Sequence, residues 1–290
     1  MDEAEPLAGT PGAVLGEGPG WDAAEQRLSW VDIKGGRVHR WYQDTGRVEV
    51  IEVGELVAAA LPRAAGGLVL ALTHDLATAD PDGTLGRRRP IETGVPGNRL
   101  NDAKCDPAGR LYVGSMSTTD RTGAAALYRV DQDWQVSTVL TGTTISNGLG
   151  WSPDGSRMYF NDTGADSVYV FDYDVAAGRA SNQRVLYAFA PDEGHPDGLT
   201  VDADGYLWVA SYGGAGVRRI SPGGELDGVL RLPVSNVTSC AFGGPGLDQL
   251  FVTTASDGLS DAERAEQPLA GRVFRYRPGV TGQPTVAFAG

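Results

Sequence analysis

The sequence predicts an all-β fold, a six-bladed β-propeller with four antiparallel strands per blade. Three observations carry that expectation. A strand-turn-strand phrase recurs along the chain, its copies lie 40 to 49 residues apart, and six of them account for all 290 residues. The phrase is clearest where His195-Pro196-Asp197-Gly198-Leu199-Thr200-Val201 leads through Asp204-Gly205 into Tyr206-Leu207-Trp208-Val209. An Asp-Gly pair between two apolar runs is hairpin chemistry, because glycine adopts the backbone angles that a tight turn demands.

Aligned on the second strand, the copies are Leu28-Ser29-Trp30, Leu68-Val69-Leu70, Leu111-Tyr112-Val113, Met158-Tyr159-Phe160, Leu207-Trp208-Val209 and Leu250-Phe251-Val252. Each is followed by a second hairpin, read over residues 37–51, 77–91, 126–140, 167–187, 216–232 and 272–288. Two hairpins per unit give four strands. Residues 1–10 read as an N-terminal tail and 11–290 as a single propeller domain, with Pro11 to Gly16 adding the strand that closes the last blade so that no sheet edge is left bare.

The 41 glycines and 17 prolines fall between apolar runs, and 41% of the chain is apolar, so they supply turns rather than disorder. A net charge of -13 excludes a phosphate backbone or an anionic membrane surface as the expected partner, and an acidic rim favours cations. Arg87-Arg88-Arg89 is too short for a nucleic-acid patch. The acidic start Met1-Asp2-Glu3-Ala4-Glu5 has no apolar leader region, and no apolar run is long enough to span a bilayer, so the expectation is a cytoplasmic protein, a monomer or weak homo-oligomer. Cys105 and Cys240, read at equivalent places in blades three and six, are expected to be buried thiols too far apart for a disulfide.

Candidate functional residues come from the offset between each blade's first polar residue and its second strand. Glu17 and Asn147 lie 11 residues before Leu28 and Met158, while Asn101 and Asp197 lie 10 before Leu111 and Leu207. Blade two offers only Leu56-Val57-Ala58-Ala59-Ala60-Leu61 there. In a propeller the first strand of each blade lines the central channel, so residues at one offset aim at one point on the axis. Asn147-Gly148 and Pro196-Asp197-Gly198 would each read as turns alone; the shared offset turns the reading toward ligands.

Carboxylate and amide oxygens converging on an axis suit one divalent cation, with Glu17, Asn147 and Asp197 as its ligands; the set admits Ca, Mg, Mn, Zn or Fe(II). Such a cation activates water and polarises a carbonyl. Arg99, Asn101 and Asp102 are the expected substrate contacts, Arg99 as a donor fork for an oxygen-rich molecule. His195, one of three histidines, reads as a wall or loop residue, and Tyr212 as a residue of the mouth. No Gly-x-Ser-x-Gly, His-Glu-x-x-His or Cys-x-x-Cys occurs, which argues against serine-hydrolase and zinc-peptidase chemistry.

Leu15-Gly16-Glu17-Gly18-Pro19, Trp30-Val31-Asp32-Ile33, Asn101-Asp102 with Lys104-Cys105-Asp106, Ser146-Asn147-Gly148-Leu149, Pro196-Asp197-Gly198 and Thr238-Ser239-Cys240-Ala241-Phe242-Gly243-Gly244 resemble the senescence-marker-protein, regucalcin and gluconolactonase family over nearly the whole chain. The resemblance implies a metal-dependent hydrolase of sugar lactones that yields aldonic acids. It places the metal on Glu17, Asn147 and Asp197, substrate contacts on Arg99 and Asn101, and the general base on Asp197. Two departures stand out: Asn101-Asp102-Ala103 replaces the family's Asn-Asp-Gly, and the lid Ser117-Thr118-Thr119-Asp120 has no sure match to an acidic substrate contact. The competing expectations are a propeller of the same fold hydrolysing phosphotriesters or aryl esters, and a non-enzymatic calcium- or ligand-binding propeller.

Overall fold

The alternating apolar runs fold as strands, and the computed structural model describes residues 3–119 and 121–290. Among the described residues 24 strands form six four-stranded antiparallel sheets. Blade one is Gly16–Asp22, Arg27–Asp32, Arg37–Tyr42 and Val48–Glu52, and blades two to five repeat that meander. The inner strands are Gly16–Asp22, Ala59–Pro62, Asn98–Cys105, Ser146–Trp151, His195–Val201 and Val237–Gly243; each neighbours the next and the last meets the first, so a channel runs down the ring.

Six apolar clusters hold the ring, one between each pair of adjacent blades. Between blades six and one, Trp21 stacks on Phe251 with ring centroids 5.8 Å apart, and Leu28 and Trp30 are fully buried beside them. Each large side chain removed from water in this way contributes about 1.5–3 kcal/mol. Every blade face is covered by its neighbour, so the stability of any one sheet depends on closure of the ring.

Closure departs from the sequence expectation. The fourth strand of blade six is Glu5–Pro6, paired antiparallel with Phe274–Tyr276, rather than Pro11–Gly16. Within the expected tail of residues 1–10, the described residues 3–10 are therefore not free: Leu7 and Thr10 are buried, with Leu7 in the cluster between blades six and one. The physical reason is reach, since the chain turns at Ala8-Gly9, where the Thr10 N–H donates to the Leu7 carbonyl at 3.4 Å, and has left the outer edge before it enters blade one.

The last hairpin, expected over 272–288, stops at Tyr276. From Val280 the chain leaves the blade and crosses the end of the channel. Gly282 donates to the Leu247 carbonyl at 2.8 Å, Gln283 Nε2 to the carbonyls of Trp151 and Val201, and Phe288 N to the Pro62 carbonyl at 2.8 Å. Phe288, fully buried, packs edge-on against Trp134 at 5.2 Å, an apolar anchor that the blade edge does not offer.

The cysteines are free and buried as expected. They are not equivalent: Cys105 pairs with Leu111, whereas Cys240 pairs with Val252, two residues further along that blade's second strand. Burial holds both thiols well above the ordinary thiol range, which makes them inert. No helix among the described residues is long and apolar enough to cross a membrane.

Candidate metal and substrate site

The register of each inner strand against its neighbour fixes which residues share a level of the channel. Residue by residue, Glu17, Ala58, Asn101, Asn147, Asp197 and Thr238 are equivalent. In five blades the inner strand bulges at this level, between Glu17 and Gly20, Leu100 and Ala103, Asn147 and Leu149, Pro196 and Leu199, and Val237 and Ser239. A bulge re-aims a side chain that regular pleating would send elsewhere. Blade two, whose residue there is Ala58, keeps a regular ladder.

Each bulge is locked locally. The N–H of Gly18 donates to Glu17 Oε2 at 2.9 Å, that of Ala103 to Asp102 Oδ1 at 2.7 Å, and that of Gly148 to Asn147 Oδ1 at 3.1 Å. At Gly148 the glycine is a packing requirement, since a Cβ there would lie 2.4 Å from Asn161 Nδ2 and 2.5 Å from the Asp197 carbonyl, whereas Gly18 has room for a Cβ but a φ of +52°.

Asn147 and Asp197 meet directly, the amide Nδ2 donating to Asp197 Oδ1. Asn147 Nδ2 also donates to Thr163 Oγ1 at 3.1 Å, and Thr163 Oγ1 donates to the Pro196 carbonyl at 2.7 Å. Asn161 Nδ2 donates to the Asp197 carbonyl at 2.6 Å, tying blade four to blade five behind the site. Neither Asn161 nor Thr163 was expected from the sequence; the available signal was the polar run Asn161-Asp162-Thr163 ending the apolar Met158-Tyr159-Phe160.

Glu17 and Asp197 are buried and repel one another. Burial first, then the charges of Asp197 and Asp102, hold the Glu17 carboxyl well above the usual carboxylate range. Burial and the Asp102 charge push Asp197 up to about 8, against the opposing pull of the Asn147 hydrogen bond and of Arg99. Arg99 Nη1 donates to Asn101 Oδ1 and to its neighbour's carbonyl, each at 2.9 Å, leaving its other donors unused; Asn101 Nδ2 donates to the Ser146 carbonyl at 3.0 Å.

The donor set fits a hard divalent cation. Two buried carboxylates raised by mutual repulsion and an amide oxygen give all-oxygen ligation, and Asn161 Oδ1 is buried close by with no hydrogen-bond partner among the described residues. Among the described residues no three His, Cys, Asp or Glu side chains gather as a metal cluster, since the third member of this set is Asn147.

The remaining expected residues fall elsewhere. Asp102 stands one level further down the channel, where Gly18, Gly148 and Gly198 stand in other blades, and lines the cavity beneath the ring. His195 is exposed and its Nδ1 sits 2.6 Å from Asp166 Oδ1, on the loop side of the mouth. Tyr212 lies at the mouth, its hydroxyl donating to the Asp257 carbonyl at 3.3 Å and accepting from Asn236 Nδ2 at 3.2 Å. In the lid, Ser117 Oγ accepts from the backbone N–H of Thr119 and Arg121, while Asp120 lies outside the described residues.

A channel decorated on four of six blades with oxygen ligands and one arginine defines a ring-shaped small-molecule site, and the family follows from comparison. Residues 15–256 match the model of the SMP-30/gluconolactonase/LRE-like region, and the chain belongs to that family. It is 37% identical over 284 residues to regucalcin of Xenopus laevis, with 95% of each chain covered. It is 38% identical over 274 residues to the pentonolactonase XacC of Haloferax volcanii, with 93% of each covered. The solved structure of a calcium-binding protein, regucalcin, from Agrobacterium tumefaciens superposes with a TM-score of 0.93 at 28% identity, over 98% of this chain and 97% of that one.

Proposed function

We propose that this protein is a lactonase that opens a sugar lactone to the aldonic acid, using one divalent cation held by Glu17, Asn147 and Asp197. The observation that carries the reading is the shared level of these three residues in the strand register, with Asn147 in contact with Asp197. Membership of a family whose relatives include a pentonolactonase supports the substrate class. The all-oxygen set favours Ca, Mg or Mn over softer ions.

The bound cation supplies polarisation of the lactone carbonyl and a more acidic water. The chain does the rest. Asp197 takes the proton of the attacking water on Oδ2, the oxygen that Asn147 does not hold, as the water oxygen bonds to the carbonyl carbon. The carbonyl carbon to ring oxygen bond then breaks and the proton passes from Asp197 to the departing ring oxygen, leaving hydroxyl and carboxylic acid. Arg99, with Asn101 bracing it, donates to ring or hydroxyl oxygens and fixes the lactone over the ligands. Such a protein would work free in the cytoplasm on a small neutral substrate.

The test is a pH-stat survey of five- and six-membered sugar lactones with Ca, Mg and Mn added in turn. Turnover abolished by chelation, restored by one of the ions, and lost by at least a hundredfold in Asp197→Asn is the expected result. A cation-loaded protein with no turnover above background would overturn the lactonase reading in favour of a binding protein.

A further inference from the structure

Below the ligand ring the channel widens into a cavity of about 320 Å³, floored by Gln283, Pro284, Thr285 and Val286 of the C-terminal strap. Its walls are almost uniform. At the first channel-facing level under the ring the six blades carry Gly18, Ala59, Asp102, Gly148, Gly198 and Ser239; two residues on they carry Gly20, Leu61, Lys104, Gly150, Thr200 and Ala241. Only blade three places charge at either level, an acid and a base two residues apart on one strand.

These two charges are not needed by the fold, because five blades close on small or neutral residues at the same positions. They are also costly, since each is half-buried in the channel wall and loses part of its hydration. Lys104 Nζ donates to the Leu199 carbonyl at 2.6 Å, which fixes the ammonium across the channel at blade five, the blade that carries Asp197. Asp102, held by its own bulge, stands on the same strand one residue past the ligand level and two residues before Lys104, and both line the cavity.

We infer that Lys104 is a built-in counter-cation of the ligand ring: by offsetting Asp102 it limits the negative charge that the ring offers, and so sets how tightly the channel holds its divalent ion. The inference rests on the cation site proposed above. Lys104 touches neither substrate nor ligand and acts through Asp102, as a positioning residue for charge. Glu17, Asp197 and Asp102 set against Arg99 and Lys104 leave a charge of −1 at the ring. Without the ammonium the same groups leave −2, the charge that one divalent ion neutralises, so the ion is held more tightly.

Calorimetric titration of the metal-free protein with Ca²⁺ and with Mn²⁺, at fixed pH and ionic strength, tests this. Lys104→Gln keeps a donor for the Leu199 carbonyl and removes the charge; it is expected to bind the ion about tenfold more tightly. Asp102→Asn is expected to weaken binding by a similar factor, and the double variant to return to within about threefold of the parent. Glu17→Gln serves as the control for the site itself. If Glu17→Gln leaves binding intact, the proposed ligand set is wrong. If Glu17→Gln abolishes binding while Lys104→Gln, still folded by circular dichroism, keeps the parent affinity, the counter-cation inference is overturned. If Lys104→Gln does not fold, Asp102→Asn decides alone: unchanged affinity overturns the inference, weaker binding supports it.

Discussion

Without the cation the protein should lose stability as pH rises, opposite to the trend set by most carboxylates, while its affinity for the cation rises over the same range. The Asp197 carboxyl is pushed from an ordinary 3.8 up to about 8 by burial and by Asp102, with Glu17 raised beside it. A cation binds only the ionised form, so at least one proton must leave on loading. Between pH 6 and 8 the ionised fraction of a group titrating near 8 rises from about 1 in 100 to about 1 in 2, so the apparent affinity should rise about fifty-fold. The stability sign follows from the same shift. The folded, metal-free protein holds a proton that the unfolded chain has already lost above pH 4, so this contribution is full below pH 4 and fades as pH climbs through 8. From pH 6 to 8 the loss is about 2 kcal/mol, or about 4 °C in Tm for a chain of this length. Scanning calorimetry at four pH values, with chelator and with saturating Ca²⁺, isolates the effect as the difference between the two series. Titration in buffers of different ionisation enthalpy counts the protons released. An affinity flat from pH 6 to 8 with no proton release would refute the reasoning.

Further consequences concern single residues. Gly148→Ala drives a methyl into Asn161 and the Asp197 carbonyl, so divalent affinity should fall more than tenfold and kcat with it, measured by titration and pH-stat. Phe288→Ala empties a fully buried site against Trp134 and should cost about 3–5 kcal/mol by urea unfolding, far more than deletion from a loose tail. Arg99→Met should raise KM for the lactone about tenfold or more while leaving cation affinity within about threefold, which separates substrate holding from metal holding. His195→Ala should leave kcat/KM within about twofold, because the ring is exposed and paired with Asp166 at the loop edge.

The architecture was legible because repetition averages out local ambiguity. Six copies of one hairpin phrase fix strand number and order even where a single copy, such as Leu68-Val69-Leu70, says little. The same repetition misled at the ends. Arg272 to Phe288 had the length and apolar content of a second hairpin, yet Glu5–Pro6 takes the outer edge and Phe288 finds a deeper pocket beside Trp134. Local pattern cannot choose between two partners that compete only after the ring closes. The offsets of 10 and 11 residues differed for Asn101 and Asp197 against Glu17 and Asn147 because the intervening turns differ in length. The register shows all four on one level. Asn161 and Thr163 escaped notice because their part is to hold the backbone of another blade, and nothing in the order of residues marks that partnership.

The ring is symmetric and its equipment is not, and the contrast says where selection for activity acted. Blade two carries Ala58 at the ligand level and has a regular ladder; blade six carries Thr238, whose hydroxyl is spent on the Gly16 carbonyl. A bulge interrupts ladder hydrogen bonds and a strand glycine forgoes side-chain packing, so both lower stability in return for a re-aimed group. Blade two shows that the fold closes without either device. Glu17-Gly18, Asn147-Gly148 and Asp197-Gly198 therefore mark the three blades where orientation of an oxygen outweighed the ladder, and blade three, with Asp102 in the glycine's place, is the one where a further charge did. On this argument the alanine after Asp102 is tolerated because the residue that must be small in the other three blades is, in blade three, the one that acts on the channel.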